Sequence, residues 1–195
     1  MTNEAQKEFL KNMFFAASWS AATGHHNVWN DECKENKNKR VAFRLRLKDK
    51  AEEMIKTYKD TRPSVEQHIK NIQGLKEFSK NVEIEKNGVI VSIKNELNIG
   101  TVQKLLNLLC KYHWCAGFIQ EPPHLPIDSI MLNKIENKKK LTKKWTQLDS
   151  IEEYQEIIAG FKKDSSLAQW ELQVWNKEMD RINEKILTKV TEENA

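Results

Sequence analysis

Lys104, Asn107 and Lys111 recur at i, i+3 and i+7 within GTVQKLLNLLCKYHWCAGFIQEPPHLPIDSIM, residues 100–131. On a helix that spacing makes one polar stripe along a cylinder of Val102, Leu105, Leu106, Leu108, Leu109 and Tyr112. An amine in apolar surroundings becomes a nucleophile or general base once its pKa is brought down toward neutrality. A lysine in the first turn of a helix also sits at the positive end of the dipole, which disfavours its charged form. The same stretch closes on Pro126-Ile127-Asp128 and so supplies a carboxylate. A carboxylate beside such an amine can steady a developing cation and take part in proton transfer. The plainer reading is a surface helix whose lysines face water, followed by an Asp that only caps the next helix.

Three of the chain's four prolines, Pro122, Pro123 and Pro126, precede Asp128. Their fixed φ stiffens the approach, so the carboxylate arrives at a defined place as the connection folds back over the lysine helix. The helix itself is expected over TVQKLLNLLCKYHWCA, packed around most of its circumference, and a second over roughly residues 128–137.

Upstream, EAQKEFLKNMFFAASWSAA has helical spacing, with Phe9, Leu10, Met13, Phe14 and Ala17 as its expected apolar face. TGHHNVWNDECKENKNK is turn-rich and reads as a loop. VAFRLRLKDKAEEMIKTYKD alternates at first and then becomes helical, with Leu47, Ala51, Met54, Ile55 and Tyr58 on one face. Ser64 and Gln67 form a capping-box pattern ahead of a helix carrying Val65, His68, Ile69, Ile72 and Leu75. Asn87-Gly88, between two β-branched runs in residues 82–99, predicts a small hairpin. Asp149 or Ser150 is placed to cap IEEYQEIIAGF. Ser165 is placed to cap a last helix whose inner face is Leu167, Trp170, Val174 and Ile182.

The expected fold is mainly α, a single helical globule over 1–195 with one small β-hairpin. Two lobes, 1–80 plus 146–195 and 81–145, are the other arrangement considered. With 195 residues, 39% apolar and 31% charged, the chain can bury a core without a staple. A net charge of +4 permits a polyanionic partner without requiring one. Cys33, Cys110 and Cys115 are odd in number and form no CxxC pair, which argues against a disulfide framework and for a reducing cytoplasm. Cys110 and Cys115 read as core. No apolar run approaches the ~18 residues of a membrane span, and the N-terminal stretch lacks the pattern of a signal peptide. His25, His26 and Cys33 lack a second pair at ligand spacing, so neither metal nor cofactor is expected. Phosphate-loop, dinucleotide, GxSxG and HExxH patterns are absent.

Together these residues resemble the helix-hairpin-helix DNA glycosylases, with the archaeal 8-oxoguanine glycosylase branch the nearer comparison. Ile99-Gly100-Thr101-Val102-Gln103-Lys104 is similar to the hairpin turn and the lysine after it, and Pro126-Ile127-Asp128 to the Pro-x-Asp element. The likeness covers about a sixth of the chain. It has one glycine in the turn, a β-hairpin where the motif's first helix should be, and a longer lysine-to-aspartate spacing through GFIQEPPHL. The resemblance implies DNA as partner, Lys104 as Schiff-base nucleophile and Asp128 as catalytic carboxylate. It implies that Gly100, Thr101 and Gln103 lie in the phosphate-binding turn. Lys138, Lys139, Lys140, Lys143 and Lys144 would track the backbone, and Trp114, His113, Trp19 or Trp29 would stack on the extruded base. The other expectation is a non-catalytic helical protein on the same scaffold that binds nucleic acid or protein, for example in phage–host conflict.

Overall fold

Every α-helix start whose cap is defined carries a side chain that accepts from the first turn. In the computed structural model, which describes residues 3–24, 26–135, 143–161 and 166–193, Asn3 opens α1 (Glu4–Thr23) with a reciprocal box to Gln6. Asn30 opens the single turn α2 (Asp31–Lys34) and Asn36 opens α3 (Lys37–Lys56). Ser64 caps α4 (Val65–Lys80) by accepting from the Gln67 N–H at 3.1 Å. The reciprocal half of that box is not made, because the Gln67 amide donates forward to Asn71. Each such cap satisfies an N–H that has no intrahelical partner.

α3 begins earlier than the sequence pattern suggests. The alternation in VAFRLRL does not make a strand. Phe43, Leu47, Ala51 and Ile55 bury an i, i+4 row, while Val41 and Leu45 face outward. Of the face expected in α1, Phe14 packs against the core, on Tyr112 and His113, but the rest of the inward face is different. Phe9 and Met13 are exposed, and Phe15, Ser18, Trp19 and Ala22 are buried. The small residues Ser18 and Ala22 let α1 lie close along α5, its most extensive packing partner.

Asn87 and Gly88 both adopt positive φ, 53° and 75°. That is the geometry of a type I′ turn, and it joins β1 (Val82–Lys86) to β2 (Val89–Ile93) with Ile84 opposite Val91. Asn98 then caps α5 (Ile99–Cys115), which is buried along most of its length, as expected. The helix expected near 128–137 is the single turn α6 (Ser129–Leu132), and residues 136–142 lie outside the described residues. A 3-10 turn (Trp145–Gln147), α7 (Ile151–Gly160, capped by Ser150) and α8 (Leu167–Glu193) complete the order. Ser165 is outside the described residues.

The fold is mainly helical with one antiparallel hairpin, and its buried apolar residues, from Phe15 in α1 to Phe161 after α7, form one cluster around α5. Among the described residues no helix is long and apolar enough to cross a membrane. None of their His, Cys, Asp and Glu side chains form a metal-holding group.

Candidate active site

α5 is the central element, so its polar stripe is almost wholly withdrawn from water. Lys104, Asn107 and Lys111 are all buried, against the plainer reading of a surface helix. α5 starts at Ile99, which puts Lys104 in the second turn instead of the first, so dipole repulsion is not what perturbs it. Burial pulls the Lys104 amine below its ordinary value, and Asp128, with Oδ2 at 4.0 Å, opposes that only in part. Lys48 shows the contrasting balance. Burial pulls it down too, but Glu52 at 3.0 Å and Glu8 at 3.5 Å outweigh that effect and leave it raised.

Asp128 is delivered by the chain between α5 and α6. Gly117, at φ 73°, ends α5 in a Schellman pattern, with the Phe118 N–H on the His113 carbonyl and the Gly117 N–H on that of Trp114. The chain then returns through the core, burying Pro122, His124, Leu125, Pro126 and Ile127. The Gln103 amide holds the backbone of Ile127 at both ends, accepting from its N–H at 3.0 Å and donating to its carbonyl at 2.8 Å. Asp128, the next residue, caps α6 through Oδ1, 3.0 Å from the Met131 N–H, and leaves Oδ2 toward Lys104. Capping and pairing are therefore done by the two oxygens of one carboxylate.

Gly100 positions the third member. A Cβ built there would lie 1.9 Å from the Trp145 carbonyl oxygen, so glycine alone lets the 3-10 turn sit on the start of α5. The Gly100 N–H donates to the Leu148 carbonyl at 2.8 Å, and the Asn98 amide donates to that of Thr146 at 2.7 Å. Docked in this way, the Trp145 ring stands 4.2 Å from the Lys104 ammonium. Lys111 repeats the pattern one heptad on. Its Nζ donates to Glu171 at 2.9 Å and lies 5.2 Å from the Trp175 ring. Burial raises the Glu171 carboxyl, with Lys111 opposing.

Behind Lys104 runs a buried polar network whose directions are fixed by the Ile127 backbone. Because Gln103 Oε1 accepts from Ile127 N–H, the Asn107 amide must turn its nitrogen toward Gln103, at 3.3 Å, and toward Tyr154 Oη, at 3.2 Å. Asn107 Oδ1 is then left to accept from His68 Nε2 at 2.7 Å. His68 Nδ1 accepts from Tyr58 at 3.0 Å, and His124 Nδ1 accepts from Tyr154 at 2.8 Å. Burial holds both imidazoles neutral, with pKa values of about 4 for His68 and about 3 for His124. The sequence offered no signal for this network beyond polar residues at core positions. Its links join residues up to 47 apart.

The remaining predicted residues are distributed as follows. Gln103 is buried, and Thr101 donates its N–H to the Asn98 cap while its hydroxyl meets His26 Nε2 at 2.9 Å. The Gly100 and Thr101 N–H groups thus have partners within the fold. Lys143 pairs with Glu153, and Lys144 is exposed. Lys138, Lys139 and Lys140 lie outside the described residues. His113 is buried, its Nδ1 2.8 Å from the Leu109 carbonyl and its edge against Phe14. Trp19 stacks on Phe15 and meets Trp29, which packs on Phe43, and Trp114 packs against the core. The indole over Lys104 is Trp145, which the sequence marks only as the end of a basic run. Cys110 is buried as expected, but Cys115 is exposed at the end of α5.

No family model, curated protein or solved structure matches the chain.

Proposed function

We propose that the protein is a DNA glycosylase with associated strand-cleaving lyase activity, acting through Lys104 and Asp128. The observation that carries this reading is the buried amine, lowered by desolvation, with a carboxylate oxygen 4.0 Å away and an indole face over it. In the proposed reaction, neutral Lys104 attacks C1′ of the target nucleotide. The N–C1′ bond to lysine forms as the glycosidic bond breaks, and the base departs with that electron pair and is protonated. Asp128 steadies the positive charge on the sugar and takes the proton lost by the attacking amine. The C1′–O4′ bond then breaks, its electron pair leaving on O4′, which takes the proton held by Asp128, while the nitrogen lone pair forms a protonated imine. Loss of a C2′ proton then expels the 3′ phosphate by β-elimination. Lys104 is only 6% exposed, so the reaction requires that the residues over Nζ, Trp145 among them, move aside to admit a sugar.

A second reading, a non-catalytic binding protein, is favoured by a different observation. The Gly100 and Thr101 N–H groups that would cradle a phosphate already donate to Leu148 and Asn98. Borohydride trapping on abasic and lesion-containing oligonucleotides separates the two. Wild type should form a covalent adduct that disappears in Lys104→Ala and in the volume-matched Lys104→Met, and that is much reduced in Asp128→Asn. No adduct and no base release on any substrate, from protein with native circular dichroism, overturns the enzyme and leaves the binding protein.

A further inference from the structure

The second half of α8 carries an apolar seam that the described body does not cover. Over its first turns the helix packs inward through Ala168, Trp170, Glu171 and Val174. Beyond Trp175, itself 39% exposed, almost every residue faces outward. Met179 at 37%, Ile182 at 37% and Ile186 at 54% continue from Trp175 at spacings of four, three and four. That is the a/d rhythm of a two-stranded coiled coil, with Trp175 and Ile182 at d and Met179 and Ile186 at a. Leu187 lies off the seam.

We propose that this seam pairs with the same seam of a second copy of the chain, antiparallel, about a two-fold axis between residues 180 and 181. In that register Met179 meets Ile182 of the other copy and Trp175 meets its Ile186, each contact occurring twice. The flanking positions then fall together once Glu178, which pairs with Arg181 of its own helix, turns toward the other copy. Glu178 lies beside Lys185 of the other copy on one side of the seam, again twice, and Asn176 lies beside Asn183 on the other.

Other registers fail on charge. Sliding by one heptad in either direction sets Lys185 against Lys185 and Glu178 against Glu192, or Glu178 against Glu178. A parallel pair puts Glu178 beside Asn183 and Lys185 beside Val190, and buries Lys189 against its copy. Like charges flanking a seam select against a register as strongly as opposite charges select for one. The seam is only about two heptads long, about 16 Å between Trp175 and Ile186 at 1.5 Å per residue, which predicts a dimer with Kd on the order of 10–100 µM.

Sedimentation velocity from roughly 5 to 500 µM tests the proposal, with full-length protein whose fold is checked by circular dichroism and melting. Wild type should pass from monomer to dimer across that range. Glu178→Lys and Lys185→Glu should each weaken association about tenfold or more, by turning two attractions into two repulsions. The double variant carrying both changes should recover wild-type association, since the pairs are then reversed but intact. Ile182→Glu should be monomeric throughout. A wild type that stays monomeric at 500 µM overturns the proposal. So does a dimer indifferent to the single charge changes, or one that the double variant fails to restore, because either places the contact elsewhere or in another register.

Discussion

The two oxygens of Asp128 do different work: Oδ1 caps α6 at 3.0 Å from the Met131 N–H, and Oδ2 stands 4.0 Å from the Lys104 ammonium. A single change can therefore remove one role and keep the other. Asp128→Asn retains an accepting oxygen for the cap, so the stability it loses reports the stranded Lys104 charge and not the cap. Asp128→Ala removes both and should cost about 1–2 kcal/mol more. Chemical denaturation of the three proteins side by side checks this. Equal stability of the two variants would mean that the cap contributes nothing.

Lys104 predicts an alkaline signature. Its folded-state pKa is lowered by burial, so the unfolded chain binds the extra proton between that lowered value and the unfolded value of about 10.4. Stability should accordingly rise with pH across that window, and the buried charge should be most costly below it. Lys104→Met should flatten this rise relative to wild type and be at least as stable at pH 7. Unfolding curves at several pH values between 7 and 10 give the difference directly, and parallel wild-type and variant curves would refute it.

The two core histidines predict the opposite end. His68 and His124 stay neutral when folded, down to about 4 and about 3, whereas the unfolded imidazole titrates near 6.5. As pH falls below 6.5 the unfolded chain gains protons that the native state refuses, and stability is lost until the folded pKa values are reached. His68 alone should contribute a loss on the order of 3 kcal/mol. A His68→Gln, His124→Gln double variant should be less stable at pH 7, yet take up about two fewer protons on unfolding at pH 5. Denaturant midpoints measured from pH 7 to 4.5 supply both numbers.

Gly100→Ala should be among the most damaging of small substitutions. The new methyl would lie 1.9 Å from a backbone oxygen, and that oxygen belongs to the turn holding Trp145 over Lys104. A loss of about 3 kcal/mol or more is expected, since backbone cannot yield as a side-chain tip does. Detachment of the turn should also change tryptophan fluorescence. A variant of native stability and spectrum would show that the close approach is not required.

Tyr154→Phe isolates one link of the buried network. It leaves His124 Nδ1 without the hydroxyl that donates to it at 2.8 Å, while Asn107 keeps Gln103. The expected cost is about 1–3 kcal/mol, the usual penalty for a stranded buried acceptor. A thermal or denaturant melt decides it.

The elements that could be read from the chain were those encoded by near neighbours. Asn87-Gly88 specified a hairpin because both residues accept positive φ. Ser64 and Ser150 marked helix starts because a cap reaches only three residues along. The return of 122–128 across α5 was also legible, since three prolines leave such a connection few courses. Where two helical faces were both apolar the sequence was ambiguous. In α1 the face with Phe9 and Met13 lost to the one with Ser18 and Ala22, because close packing on α5 rewards small residues that hydropathy undervalues. Ile182 likewise reads as core but stands outside it.

By its own pattern, then, the sequence determined a mainly helical chain with one hairpin, a lysine-bearing helix apolar around most of its circumference and a carboxylate at the end of a stiff return. Only the tertiary structure decided that the lysine stripe is buried, that Gly100 exists to admit Trp145, and that His68 and His124 join Lys104's helix through Asn107 and Tyr154. The reason is one of range. Periodicity and caps depend on residues within a turn of one another, whereas the carboxylate that opposes the depression of the Lys104 amine and the ring that lies over it come from elements 24 and 41 residues further along the chain, at Asp128 and Trp145.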